Sequence, residues 1–206
     1  MKYTCTIEHL AGSKPLERPP RMAVAEGFDA APIPASGLAL PVRDRIVLDA
    51  AEGELPWHIA LKFLGYLLYR EWEPRVEEGV GWHYKPDLVS VDAQGGIRLW
   101  IDCGNIAVRK IDRVAAKVGD APFRILRRTR RDAEQLAASL KGEVRHPERV
   151  RIIAFDNGFV DAIGANLTTT NRIRAMRHAD ALDLHCENRV DTFDLTSRLH
   201  LFTVGA

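Results

Sequence analysis

Only three cysteines occur in 206 residues, Cys5, Cys103 and Cys186, and no two lie close together. Without a CxxC pair nothing marks a structural zinc site, and an odd, scattered set argues against a disulfide framework. The seven histidines form no HxxxH or HxH pair that would replace it. No apolar run approaches the roughly 20 residues that cross a bilayer, and MKYTCTIEHL lacks a hydrophobic signal core. These absences predict a cytoplasmic protein that does not enter a membrane. GxGxxG, GxxxxGK[ST] and GxSxG are missing too, which removes the usual dinucleotide, P-loop and hydrolase readings.

What is present reads as one α/β domain over residues 1–206, with enough chain for a sizeable core. The net charge of +1 hides an uneven spread. From Arg109 to Arg131, nine Lys or Arg stand against only Asp112 and Asp120, a local excess of +7. Acidic residues gather instead at 44–54 and 71–78. Such asymmetry suits a face that meets a polyanion, and the commoner alternative is a solvated charged surface.

Along the chain, residues 3–10 and 45–49 read as strands. Between them, 11–42 holds six of the eleven prolines and predicts a long irregular insertion, mobile in part. A helix from Leu55 to about Trp72 is apolar around most of its circumference, with Pro56 in its first turn and Glu54 at its positive end. Glu54, His58, Lys62 and Gly65 form its one polar or small line, and His58 reads as a helix-surface or packed histidine. Helices are expected at 106–118 and 130–140, and strands at 122–126, 150–155 and 192–204. Residues 159–183 look mixed, with some helix. The whole predicts a mixed β-sheet flanked by helices.

KPDLVSVDAQGGIRLWIDCGN, residues 85–105, is the most informative stretch. It reads as a β-hairpin turning at Gly95-Gly96. Asp87 starts one strand and Asp102 ends its antiparallel partner, so both acids lie at one sheet edge. Two carboxylates there could share Mg²⁺ or Mn²⁺, ions that take one or two carboxylates and fill their other positions with water and phosphate oxygen. Strand-end carboxylates facing solvent are the plain alternative.

Pro86-Asp87, then Asp102-Cys-Gly104, then a basic helix, resembles the PD-(D/E)XK nuclease superfamily, and within it the YaeQ family. The pieces are Glu54 ahead of LKFLGYLLY (61–69), IRLWIDCG (97–104) and Arg109-Lys-Ile111, over about residues 45–130. The resemblance implies a restriction-endonuclease-like α-β-β-β-α-β core with extra terminal strands. Asp87 and Asp102 would be metal ligands, and Glu54 a third carboxylate. Gly104 stands where the orthodox motif has Lys, so Lys110 or Arg113 on the following helix would take that role. The expected activity is metal-dependent cleavage of a nucleic-acid phosphodiester. The alternative is an inactive module that binds nucleic acid or a protein partner. Hydrolysis of a small phosphorylated molecule fits less well, because the basic excess spreads over some twenty residues.

Overall fold

Helix α1, Pro56–Leu68, buries nine of its thirteen residues, and the rest of the fold is arranged to cover it. The computed structural model describes residues 1–20 and 42–204. Before α1 come β1 (Lys2–His9) and β2 (Val42–Asp49). After it follow β3 (Arg75–Val76), β4 (Leu88–Val91), β5 (Ile97–Cys103), α2 (Val108–Lys117) and β6 (Phe123–Arg127). Then come α3 (Arg130–Leu140), β7 (Val150–Phe155), α4 (Phe159–Asn166), β8 (Thr170–Arg177), β9 (Ala181–Asn188) and β10 (Thr192–Thr203).

The described strands form one large sheet in the order β2-β1-β8-β9-β10-β7-β6-β5-β4-β3. α1 touches β2 near one end of that order and β3, β4 and β5 near the other, so the sheet curls around the helix and nearly closes. β10 links the two halves. Its residues 192–198 pair antiparallel with β9, and its residues 199–203 pair antiparallel with β7. Asp156 stitches this junction, accepting from the Arg198 backbone N–H at 2.9 Å and pairing with His200 Nε2 at 2.8 Å.

Alternation along the strands sorts the core into two layers. Leu99, Ile101 and Cys103 of β5 join α1, α4 and the inner face of β1, β8 and β9. Trp100 faces the other way, into a second layer with Ile111 and Val114 of α2 and Ala133, Leu136 and Leu140 of α3. The half of the sheet from β4 to β7 therefore carries helices on both faces. The mixed α/β class expected from the sequence is what forms, with four α-helices among the described residues.

The hairpin forms where the sequence placed it. Leu88 pairs with Ile101, Val89 with Trp100 and Ser90 with Leu99, before a register slip at Ser90/Val91. In the turn, Asp92 Oδ1 accepts from the backbone N–H of Gln94 and Gly96 at 2.9 and 2.7 Å. Of the two glycines only Gly95 takes a positive φ, +81°. A Cβ at Gly96 would lie 2.6 Å from Asp92 Oδ2 and would have to turn that carboxylate aside, away from its hydrogen bonds in the turn.

The irregular stretch expected over 11–42 is only partly described. Residues 11–20 form no helix or strand but are anchored: Trp72 Nε1 donates to the Glu17 carbonyl at 3.1 Å, and Glu17 pairs with Arg124 and Arg151. Residues 21–41 lie outside the described residues. The mixed region at 159–183 resolves into α4, β8 and the start of β9. No described helix is long and apolar enough to cross a membrane.

Candidate functional site

Asp102 is fully buried at the end of β5. It shares its sheet face with Trp100, toward α2, and Lys110 of that helix places Nζ 3.0 Å from Asp102 Oδ1. The same ammonium donates to the Lys85 carbonyl at 3.3 Å, tying α2 to the chain entering β4. Among the described residues Asp102 Oδ2 and Nε1 of Trp100 are both buried without a well-formed hydrogen bond, yet the Trp100 side chain stands close enough to Asp102 to lower its pKa slightly. Burial pushes the Asp102 carboxyl up to about 6; Lys110 pulls it back, and the nearby Asp87 charge raises it again.

Asp87 precedes β4 by one residue, and its backbone N–H donates to the Ile101 carbonyl at 3.1 Å. The paired register begins at Leu88–Ile101, so Asp87 lies one residue outside the ladder, near Asp102 but not registered opposite it. Its Oδ2 accepts from the Cys103 backbone N–H at 2.6 Å, and its Oδ1 lies 3.6 Å from His58 Nε2. Burial would raise this carboxyl, but His58 and the Cys103 N–H outweigh it and hold the group below its ordinary value. One acid is therefore firmly anionic and its neighbour is poised near neutrality.

The polar line of α1 faces the hairpin rather than solvent. Glu54 Oε1 lies 2.5 Å from His58 Nδ1 and 2.5 Å from Lys62 Nζ, while its Oε2 accepts from the Ala51 N–H at 2.9 Å. Lys62 has a side chain only 2% exposed and pairs also with Glu77. Burial opposes the charge on Lys62, yet the two carboxylates raise its pKa above normal. Burial likewise works against His58, and Asp87 with Glu54 overcomes it to raise that pKa. Gly65, the last member of the line, lets Leu88 approach; a Cβ would meet its Cδ1 at 3.0 Å.

Sequence reasoning placed His58 and Lys62 on the polar line of the helix, His58 as a surface or packed residue, and gave neither a part in holding the acids. The signal was there: three ionisable groups spaced i, i+4, i+8 on a helix otherwise apolar cannot all reach water once that helix is enclosed. Glu54 does not stand free as a third metal ligand. Both its oxygens are engaged, and it reaches Asp87 only through His58. Among the described residues no cluster of three or more His, Cys, Asp or Glu is arranged to hold a metal ion.

Gly104 follows with φ +74°, and a Cβ would fall 2.8 Å from Trp57 Cζ3. Its carbonyl accepts from Arg127 Nη1 at 2.6 Å. No side chain fits here, so the position cannot carry the orthodox Lys without moving Trp57. Of the two replacements expected on α2, Lys110 reaches Asp102; Arg113 is exposed and makes no ion pair among the described residues.

The basic run also divides. Arg124 is buried and held by Glu17 and by the carbonyls of Phe123 and Arg149, so it is structural. Arg130 pairs with Glu134 at 2.7 Å. Arg109, Arg113, Lys117 and Arg131 remain exposed.

A large curled mixed sheet around one apolar helix is a fold shared with a known protein family. Residues 54–192 match the family model described as YaeQ protein, and the chain belongs to the YaeQ family. The match reaches well past residue 130, where the sequence resemblance stopped, and spans every candidate residue above. The fold is similar to the crystal structure of YaeQ protein from Xanthomonas axonopodis pv. citri, with a TM-score of 0.64 and 14% identity, covering 97% of this chain and 98% of that one. It is also similar to that of YaeQ protein from Pseudomonas syringae, with a TM-score of 0.66 and 11% identity, covering 98% and 96%. No curated protein matches the chain.

Proposed function

We propose that this protein is a metal-dependent phosphodiesterase acting on nucleic acid, with Asp87, Asp102 and Lys110 at its centre. The observation that carries the reading is Asp102: a fully buried carboxylate with Lys110 on one oxygen and the charge of a second carboxylate, Asp87, near enough to raise its pKa. The run α1, β3, β4, β5, α2, β6 follows the α-β-β-β-α-β order of the PD-(D/E)XK superfamily and supports the same reading.

The donor set suits a hard divalent cation. Asp102 Oδ2 makes no well-formed hydrogen bond among the described residues, and Asp87, held anionic, is near enough for its charge to act on Asp102. When bound there, Mg²⁺ or Mn²⁺ supplies Lewis acidity and a more acidic water. The chain's own residues do the rest. Lys110 holds a positive charge where a phosphorane-like state develops negative charge, from a position already fixed by Asp102 and Lys85. Glu54 and Lys62 hold His58, and His58 with the Cys103 N–H holds the Asp87 carboxylate in place.

A second reading rests on Asp87 itself, which already has a backbone donor and a histidine. A carboxylate so engaged fits an inactive module that binds nucleic acid or a protein. Incubating single- and double-stranded DNA and RNA with the protein and Mg²⁺ or Mn²⁺ separates the two. Cleavage that needs the metal and falls at least about 100-fold in Asp102→Asn, roughly 3 kcal/mol of transition-state stabilisation, supports the enzyme. Equal nucleic-acid binding by wild type and variant without any cleavage supports the module.

A further inference from the structure

Beside the acid pair, on the far side of Gly104, lies a cavity of about 270 Å³ lined by Trp57, Gly104, Asn105, Arg127, Arg128 and Asp132. Its chemistry is unlike that of the other surface hollows. Arg127 is half-buried, spends one nitrogen on the Gly104 carbonyl, makes no ion pair among the described residues, and leaves its Nε buried without an acceptor. Burial lowers its pKa, Asp132 raises it and Arg128 lowers it again, so its charge is incompletely compensated. A desolvated guanidinium without a carboxylate is costly unless an anion completes it, and its planar fork matches phosphate. Arg128 stands with its guanidinium 5.5 Å from the centre of the Trp57 ring and is otherwise paired only with Asp161 at 3.3 Å.

A phosphate alone would need only the arginines. The remaining wall is an indole, an amide and a carboxylate, which offer a stacking surface, a two-way hydrogen-bonding group and an acceptor for exocyclic amines. These are the groups that recognise a base, and a base is free to meet them only when it is unpaired. Position matters equally: Gly104 is two residues from Asp102, so a nucleotide here adjoins the phosphodiester that would sit at the acid pair.

We infer that this cavity is a nucleotide subsite that seats one unpaired nucleotide of a single-stranded substrate, its phosphate on Arg127 and its base against Trp57 and Arg128. The inference rests on the phosphodiesterase reading above and names the substrate class for it. Arg127 and Arg128 belong to the basic run that the sequence marks, whereas Trp57 does not stand out there from the apolar helix around it.

The test compares three probes on the full chain at low salt: a short single-stranded oligonucleotide, its fully abasic counterpart with the same phosphates, and the duplex. Fluorescence anisotropy gives affinity, and metal-dependent cleavage is followed in the same samples. The single strand should bind about tenfold more tightly than the abasic strand, because one stacked base is worth roughly that factor. It should also bind more tightly than the duplex. Trp57→Leu should remove most of the advantage of the single strand over the abasic strand, whereas Arg127→Met should weaken the binding of both alike and leave their ratio nearly unchanged. Equal binding of abasic and intact strands overturns the subsite, as does preference for duplex; in either case observed cleavage leaves the phosphodiesterase reading standing. Absence of both binding and cleavage defeats the two together. The abasic comparison uses only the wild-type chain, so it decides even where a variant fails to fold.

Discussion

Lys110 Nζ and Asp102 Oδ1 lie 3.0 Å apart, the lysine partly exposed on α2 and the aspartate wholly buried at the end of β5. The pair costs the fold more than it returns. Removing a carboxylate from water is expensive, and one ammonium on one oxygen does not compensate it. Asp102 therefore titrates near 6 instead of near 3.8. A carboxyl whose folded pKa is raised binds its proton more tightly in the native state, so stability falls as pH rises from about 4 through 6. Asp102→Asn removes that loss. The variant should be more stable than wild type by about 3 kcal/mol at pH 8 and nearly equal to it at pH 4. Thermal unfolding at the two pH values checks this, and equal midpoints at pH 8 would show that Asp102 is not desolvated as described.

Gly104 gives a second prediction, on packing. Gly104→Ala forces a side chain into a left-handed φ of +74° and a Cβ into contact with Trp57. The conformational part costs about 1 kcal/mol and the overlap a further 1–3. Denaturant unfolding should show a loss of about 2–4 kcal/mol. In a Trp57→Leu background the overlap disappears, so the same substitution should cost only its conformational share. Additive effects would mean that the indole is not what excludes a side chain there.

Much of this architecture was legible beforehand. The hairpin 88–103 stood out because apolar runs flank two glycines and an Asp92 that can close the turn. The helix at 130–140 was clear because Ala133, Leu136, Ala137 and Leu140 recur at helical spacing; Thr129 caps it, accepting from the Asp132 N–H at 3.1 Å. β8 was not legible. Two of its four buried positions are Asn171 and Arg177, so the alternation of its side chains carries no apolar signal. Both are buried for tertiary reasons: Asn171 donates to carbonyls of Thr4 and Thr168, and Arg177 caps the Leu67 and Leu68 carbonyls at the end of α1 while pairing with Glu71. The place of Asp87 and Asp102 at one end of the hairpin was readable from strand spacing. Their supporting network was not, because a polar line on a helix looks the same whether it meets water or a buried hairpin.

That network is open to direct titration. His58 lies between Glu54 and Asp87, and its pKa is raised with Asp87 the stronger influence. Its contribution to stability is full below about pH 6.5 and is lost as pH rises through the higher folded value. In NMR titrations Asp87→Asn should lower the His58 pKa more than Glu54→Gln does, and the double variant should bring it to or below the ordinary value. An unchanged pKa in Asp87→Asn would separate His58 from the acid pair and leave Glu54 and the Cys103 carbonyl, 3.2 Å from its Nε2, as its partners.

The exposed part of the basic segment supplies the last prediction. If nucleic acid binds along α2, each phosphate contact releases counterions, and affinity falls linearly with salt on a logarithmic plot. Arg113 is exposed and unpaired among the described residues, so Arg113→Ala should reduce the slope by about one unit while leaving stability unchanged. Arg124 belongs to the same run of charge but is committed to Glu17 and two carbonyls. Arg124→Ala should therefore destabilise the fold and leave the salt slope of the folded protein alone. The opposite pattern would move the phosphate-contacting face elsewhere. The outer strands offer one such surface, where Arg43, Arg172 and Arg174 line a hollow of about 460 Å³ with Glu8 and Glu187 only partly neutralising them.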